Sequence, residues 1–204
     1  MSDDRTVFVV DDDEDLRASV CALVESMGPR CRGFSSAEQF LANYSAVERG
    51  VVVIDFRMPG MNGLELQEEL LRRESRMPVV ILTAFARTTT IVKAMQAGAV
   101  TAIDKPYHDD DLWDAIRTAL DREDAIWTAS QRHREVRDRM AGLTPDQRRI
   151  GELIVAGHPN KAIAQELGLA IRTVEKRRHE LLAKMQVSSV AELVVVFLEA
   201  NEPD

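Results

Sequence analysis

The chain has 204 residues, 45% of them hydrophobic and 29% charged, which suits a globular protein of one or two domains. No apolar run approaches the roughly 18 residues of a membrane span, and the acidic start, MSDDR, lacks the basic flank of a secretory signal; both features point to a cytoplasmic protein. The net charge of −8 is unevenly spread, with acids toward the N-terminus and basic residues clustered between Arg172 and Lys184, so its sign excludes no polyanionic partner for the C-terminal part.

The first part of the chain alternates two patterns. Apolar, β-branched runs at 7–10, 51–54, 79–82 and 100–103, with a weaker run at 30–34, read as five strands. Their near-continuous hydrophobicity suits a parallel sheet buried on both faces. Between them lie helical patterns: Leu16, Val20, Leu23, Val24 and Met27 share one face, as do Leu64, Leu66, Leu70 and Leu71 approximately, and Ile91, Ala94, Met95 and Gly98. Ser35 or Ser36 can cap the second helix, and Gly28-Pro29 ends the first. Cys21 and Cys31 have no His at metal-ligand spacing and read as unpaired core or near-surface residues. The alternation predicts a doubly wound α/β sandwich, with its site at the carboxyl ends of the strands.

Residues 109–140 have no strand pattern and read as one long polar helix, or two with a break. Leu112, Ile116, Leu120, Ile126, Val136 and Met140 give it an intermittent apolar stripe. Such a segment is either a final domain helix followed by a solvated linker or a continuous signalling helix. Beyond Gly142 four helices follow. The first has Thr144 as cap and Pro145 at its first position. The second, NKAIAQELG, ends at Gly168. The third, IRTVEKRRHELLAKM, turns Val174, Leu181, Leu182 and Met185 inward, and the fourth starts at a Ser cap. The division is 1–120 for the α/β domain, 121–140 for a helical linker and 141–204 for the all-α domain.

The strand ends carry the chemistry. The first delivers Asp11, Asp12 and Asp13, and the third Asp55. In a parallel sheet these ends converge, so the carboxylates repel and raise one another's pKa. A divalent cation is the natural remedy, and an all-oxygen donor set argues for Mg2+ over zinc. The fourth strand ends in Thr83, a hydroxyl donor, and the fifth leads to Lys105. A carboxylate that attacks a phosphoryl group needs this set, because metal, hydroxyl and ammonium each neutralise part of the phosphoryl charge.

The segments VVDDDEDLR, VVVIDFRMPGMNG, VVILTAFA and IDKP, in this order, resemble the receiver domains of two-component response regulators, which have a flavodoxin-like fold. The resemblance implies that Asp55 accepts a phosphoryl group from a sensor histidine kinase. It implies that Asp12 binds Mg2+ directly, that Asp11 acts mainly through water, and that Asp55 and the backbone carbonyl of Arg57 complete the protein ligands. Thr83 and Lys105 would contact the phosphoryl group, and Lys105-Pro106 would be cis. Receivers often carry Tyr or Phe three residues before this lysine, where this chain has Ala102. The switch is therefore expected to involve another element, with Phe85 and Tyr107 as candidates.

The segment from LTPDQRRIGELIVAG through NKAIAQELG to IRTVEKRRHELLAKM resembles the LuxR-type helix-turn-helix of NarL/FixJ-class regulators. The second helix of such a pair enters the major groove. Thr173, Lys176 and Arg177 would face base edges there, while Lys161, Arg172, Arg178 and Lys184 would hold phosphates. Ala170 stands where a Ser cap is usual, which removes about 1 kcal/mol of capping. Gly151 stands where Leu is common, which predicts a weaker local core.

The leading expectation is a transcription regulator, not an enzyme: phosphorylation at Asp55 alters dimerisation or domain contacts and so controls binding to promoter DNA. A homodimer would form on phosphorylation, RNA polymerase is a further partner, and no membrane is involved. One alternative is a phosphorylation-independent DNA-binding regulator with an atypical receiver, suggested by Ala102. Another is an Asp-nucleophile phosphatase, which would need a general base and a substrate pocket that the sequence does not offer.

Overall fold

Val7, Val9, Val51, Val53, Val80 and Leu82 pack on one side of a sheet, and Phe8, Val10, Val52, Ile54, Val79 and Ile81 on the other. That is the two-residue period of a strand, with both faces apolar because helices cover both. In the computed structural model, which describes residues 5–45, 48–84 and 88–200, the strands are β1 (Thr6–Val10), β2 (Arg30–Phe34), β3 (Gly50–Asp55), β4 (Val79–Thr83) and β5 (Thr101–Asp104). They pair in parallel in the order β2-β1-β3-β4-β5. Strand order therefore reverses between β1 and β3, and their carboxyl ends form the crevice expected of a doubly wound sheet.

Five helices accompany the strands: α1 (Glu14–Ser26), α2 (Ala37–Asn43), α3 (Gly63–Arg72), α4 (Thr88–Gln96) and α5 (Asp109–Ala141). Val20 and Val24 of α1 join Leu112, Ile116, Ala119 and Leu120 of α5 on the first face; Phe40, Leu66, Leu70 and Ala94 cover the second. Phe8, Phe34 and Phe40 meet there with centroids 5.4–6.3 Å apart. Local chemistry sets the helix ends. Asp13 accepts from the N–H groups of Asp15 and Leu16, Ser36 accepts from Gln39, and Asn62 forms a reciprocal capping box with Glu65.

Three large apolar side chains placed inward from the sequence are exposed: Met27, Leu71 and Met95. Met27 is the cap residue of α1, past its last helical turn. Leu71 and Met95 each follow a buried residue, Leu70 and Ala94, and one step turns a side chain about 100° away from the face. The cysteines also differ from expectation: Cys21 of α1 and Cys31 of β2 form a disulfide with Cα atoms 5.3 Å apart. Their adjacency comes from the packing of α1 beside the edge strand, which no local pattern reveals.

Two polar groupings fasten helices to the first unit, which runs to Trp127. Buried Gln67 of α3 donates from Nε2 to the carbonyls of Ala94 and Ala97, at 3.1 and 2.8 Å, at the end of α4. Arg49, just before β3, makes a bidentate pair with buried Glu123 of α5 (2.9 and 2.7 Å), reaches Asp124 at 2.6 Å, and lies over the Trp127 ring.

Helix α5 runs unbroken for 33 residues. The second unit begins at Thr128 and contains α6 (Pro145–Val155), α7 (Asn160–Leu167), α8 (Ile171–Met185) and α9 (Val190–Glu199). Val136 and Met140 of α5 share its core with Ile150, Leu153, Ile163, Val174, Leu181, Met185, Leu193 and Phe197. Thr144 and Gln147 form a capping box with Pro145 beside it. Ala170 supplies no side-chain cap to α8, as expected. Gly151 does not leave a gap: a Cβ there would lie 2.2 Å from Cζ of Phe197, so the glycine admits that ring and the expectation of a weakened core is corrected. No single helix among the described residues is long and apolar enough to cross a membrane.

Candidate functional site

β1, β3 and β4 end beside one another, and each strand end delivers one buried polar residue: Asp11, Asp55 and Thr83. Lys105 follows β5. Its N–H donates to the Thr83 carbonyl at 2.7 Å, which continues the β4–β5 ladder to the lysine. The Lys105-Pro106 peptide is cis, as the sequence suggested. Lys105 Nζ donates to Asp55 Oδ1 at 2.5 Å and to Asp11 Oδ2 at 2.9 Å. The Arg57 N–H donates to the other Asp55 oxygen, Oδ2, at 2.7 Å. Asp11 Oδ1 accepts from the Asp13 N–H at 2.9 Å. Every oxygen of the two buried acids is thus oriented.

Burial raises the Asp55 carboxyl above the ordinary carboxylate range. The hydrogen bond and charge of Lys105 offset part of this, and repulsion from Asp11 adds to it. Mutual repulsion, the cause expected from the sequence, is the smaller contribution. For Lys105 burial acts downward, but the hydrogen bonds and charges of Asp55 and Asp11 outweigh it and hold the ammonium above its ordinary value.

Asp11 and Asp55 are buried at this edge, whereas Asp12, next to Asp11 in the chain, is exposed. No group of three or more His, Cys, Asp or Glu side chains among the described residues is placed to hold a metal ion. Asp11 and Asp55 nevertheless share one cation already, the Lys105 ammonium, and the donors at this edge are oxygens. That chemistry fits Mg2+. Asp11, Asp12, Asp55 and the Arg57 carbonyl are the residues that would hold it.

The switch candidates are scattered. Ala102 sits opposite Ile81 in β5 and packs against the core beneath α2, α3 and α4. Tyr107 packs on the opposite face, and its buried hydroxyl has no hydrogen-bond partner among the described residues. Phe85 lies outside the described residues. Sequence reasoning missed two supports. Arg17 Nη1 donates to the Asp11 carbonyl at 2.7 Å, and Glu38 Oε1 accepts from the Met61 N–H at 3.0 Å, tying α2 to the loop after Asp55. Neither has a local sequence signal.

In the second unit α7 and α8 are joined through Gly168, whose φ of 64° ends α7 in the left-handed region that glycine favours. On α8, Arg172 and Lys176 are exposed and Thr173 is half-buried; Lys161 is exposed on α7. Lys176 lies 3.7 Å from Glu180. Three other basic residues are engaged within the unit. Arg177 Nη1 donates to Asp146 Oδ2 at 2.8 Å, Arg178 to Asn160 Oδ1 at 2.9 Å, and Lys184 Nζ to the Gly142 carbonyl at 2.5 Å.

Strand-end acids with a shared lysine, and a Gly-turned helix pair with a basic second helix, define a two-domain regulator of the receiver and helix-turn-helix type. Residues 7–117 match the response regulator receiver domain, and residues 141–197 match the luxR family of bacterial regulatory proteins. The transcriptional regulatory protein FixJ of Azorhizobium caulinodans is 38% identical over 201 residues, covering 98% of this chain and 95% of that protein. FixJ of Rhizobium meliloti is 37% identical over 191 residues, covering 94% of each. Among solved structures, response regulator StyR superposes with a TM-score of 0.85 at 36% identity over 97% of this chain and 100% of that one. Full-length FixJ from B. japonicum gives 0.59 at 33% identity over 98% of each. The chain belongs to the FixJ-like two-component response regulators, with a receiver and a LuxR-type DNA-binding domain.

Proposed function

We propose that Asp55 is the phosphoryl acceptor of this regulator and that α8 is its DNA-reading helix. The observation that carries the first part is Lys105 Nζ, which touches Asp55 and Asp11 together. Asp55 Oδ1 attacks the phosphorus of a phosphohistidine on the sensor kinase; the P–N bond breaks and the imidazole leaves. Arg57 N–H holds Oδ2 and so points Oδ1 at the donor. Lys105 moves from Oδ1 to a phosphoryl oxygen, and the Thr83 hydroxyl takes another. Mg2+ held by Asp11, Asp12, Asp55 and the Arg57 carbonyl would supply charge neutralisation for the transferred group.

Phosphorylation then shifts the receiver between conformers. Because residue 102 is alanine, the shift runs through another element, with Tyr107 and Phe85 as the candidates. The face of α4 and β5, where Val92 and Met95 are exposed, pairs two chains. The chain works in the cytoplasm as receiver (1–120), helical linker (121–140) and DNA-binding domain (141–204), with RNA polymerase as a downstream partner. Thr173, Lys176 and Arg177 face bases in the major groove, while Lys161, Arg172, Arg178 and Lys184 hold phosphates.

Ala102 favours one second reading, DNA binding indifferent to phosphorylation. Gel-shift and scattering measurements in Mg2+, with and without a small phosphodonor, on wild type and Asp55→Ala separate the two. Phosphodonor-dependent dimerisation and tighter DNA binding, lost in Asp55→Ala, are expected. Affinity and oligomeric state that stay flat throughout would leave the second reading standing.

A further inference from the structure

Arg177 differs from the other basic residues of α8 among the described residues: a carboxylate from another helix lies within hydrogen-bond distance of it. Its Nη1 donates to Asp146 Oδ2 at 2.8 Å, whereas Arg178 donates to the neutral Asn160 amide and Lys184 to a carbonyl and the Gln147 amide oxygen. Lys176 lies 3.7 Å from Glu180, one turn along the same helix. Asp146 belongs to the first turn of α6, and its side chain is 68% exposed against 31% for Arg177. The acid therefore stands at the surface beside the arginine. An exposed pair of this kind contributes little to stability, so its consequence lies in what approaches the surface.

A guanidinium has five N–H donors and two edges that can each grip a pair of acceptors. With Nη1 held by Asp146, the edge formed by Nε and Nη2 stays available. That edge matches O6 and N7 of guanine, and a base accepts it without bringing an anion to Asp146. A phosphate is different. Placed on the same guanidinium it sets a second negative charge beside the carboxylate, and like charges in one site repel.

We propose that Asp146 is a specificity-determining residue of this regulator: it presents the Nε/Nη2 edge of Arg177 to a base and penalises contact of Arg177 with bare phosphate. The proposal rests on the reading that α8 enters the major groove.

The test uses the full-length protein with phosphodonor and Mg2+. Binding is measured across a range of salt to a duplex selected from random sequence and to a scrambled duplex of equal length. Asp146→Asn keeps the size of the side chain and removes its charge. Affinity for the scrambled duplex is expected to rise roughly fivefold, and its log–log salt slope to steepen by about 0.9, one further phosphate contact. The ratio of selected to scrambled affinity falls. Asp146→Ser gives the same direction, and an unchanged melting temperature shows that α6 is intact. In an Arg177→Ala background Asp146→Asn leaves the ratio unmoved. If Arg177→Ala lowers the ratio but Asp146→Asn does not, Asp146 has no such role and the DNA-reading assignment survives. If Arg177→Ala changes neither affinity nor ratio, the placement of Arg177 on DNA fails, and the role of Asp146 fails with it.

Discussion

Phe197 closes over Gly151 so tightly that a methyl group at residue 151 would overlap the ring, with 2.2 Å to its Cζ. Phe197 is itself buried among Ile150, Leu153, Leu193 and Val196 and has little room to yield. Gly151→Ala adds helix propensity, worth about 1 kcal/mol, against an overpacking cost of roughly 1–3 kcal/mol. The expected net outcome is a lower melting temperature for the DNA-binding unit, followed by circular dichroism. A stabilised variant would show that the ring moves aside freely. Gly151→Leu should be worse than Ala.

The raised pKa of Asp55 has a stability consequence with a definite sign. A carboxyl whose folded pKa lies above its unfolded value favours the folded state when protonated, and that contribution is lost as pH rises through the folded pKa. In EDTA, wild type should lose stability relative to Asp55→Asn as pH climbs from about 4 toward neutrality. Melting curves of the two proteins at a series of pH values check this. A difference that grows in favour of wild type over that range contradicts it.

Among the described residues, Arg49 and Glu123 form the most enclosed charge pair away from the strand-end cluster, with Glu123 buried. Arg49→Met would leave Glu123 buried without its partner, a loss of roughly 3 kcal/mol. Glu123→Gln keeps one acceptor and should cost less. Denaturation followed by fluorescence of Trp127, which lies under Arg49, reads both variants. Equal losses would mean that the charge of Glu123 is not the issue.

Lys161 and Arg172 are exposed basic residues on α7 and α8. If each holds one phosphate, alanine at either reduces the salt slope of DNA binding by about one and weakens selected and scrambled duplexes alike. Arg178→Ala should do more, because it also frees Asn160 at the start of α7. A sequence-dependent loss at Lys161 would place it on a base instead.

Strand content was legible because β1, β3 and β4 are buried on both faces and leave unbroken apolar runs; 7–10, 51–54 and 79–82 fall inside the observed strands. β5 reads one residue early, since Val100 continues its apolar run while the ladder pairs Thr101 with Val80. The convergence of Asp55, Asp11, Thr83 and Lys105 follows from parallel strands ending together, so motif order sufficed. Relationships between elements were not legible. Cys21 meets Cys31, Arg177 meets Asp146, and Gly151 admits Phe197 only once helices and strands have docked. Burial within the acid run was not legible either: Asp11 is buried at the strand end, while Asp12 and Asp13 are exposed.

Gln67 has its Nε2 on two carbonyls at the end of α4, while its buried Oε1 has no partner among the described residues. An amide so placed is hard to withdraw, because leaving would expose two carbonyls and gain no compensating bond for itself. The Ala97 end of α4 is therefore held to α3. If Asp55 takes a phosphoryl group as proposed, a rearrangement of α4 is expected to leave this end in place and to move the opposite end most.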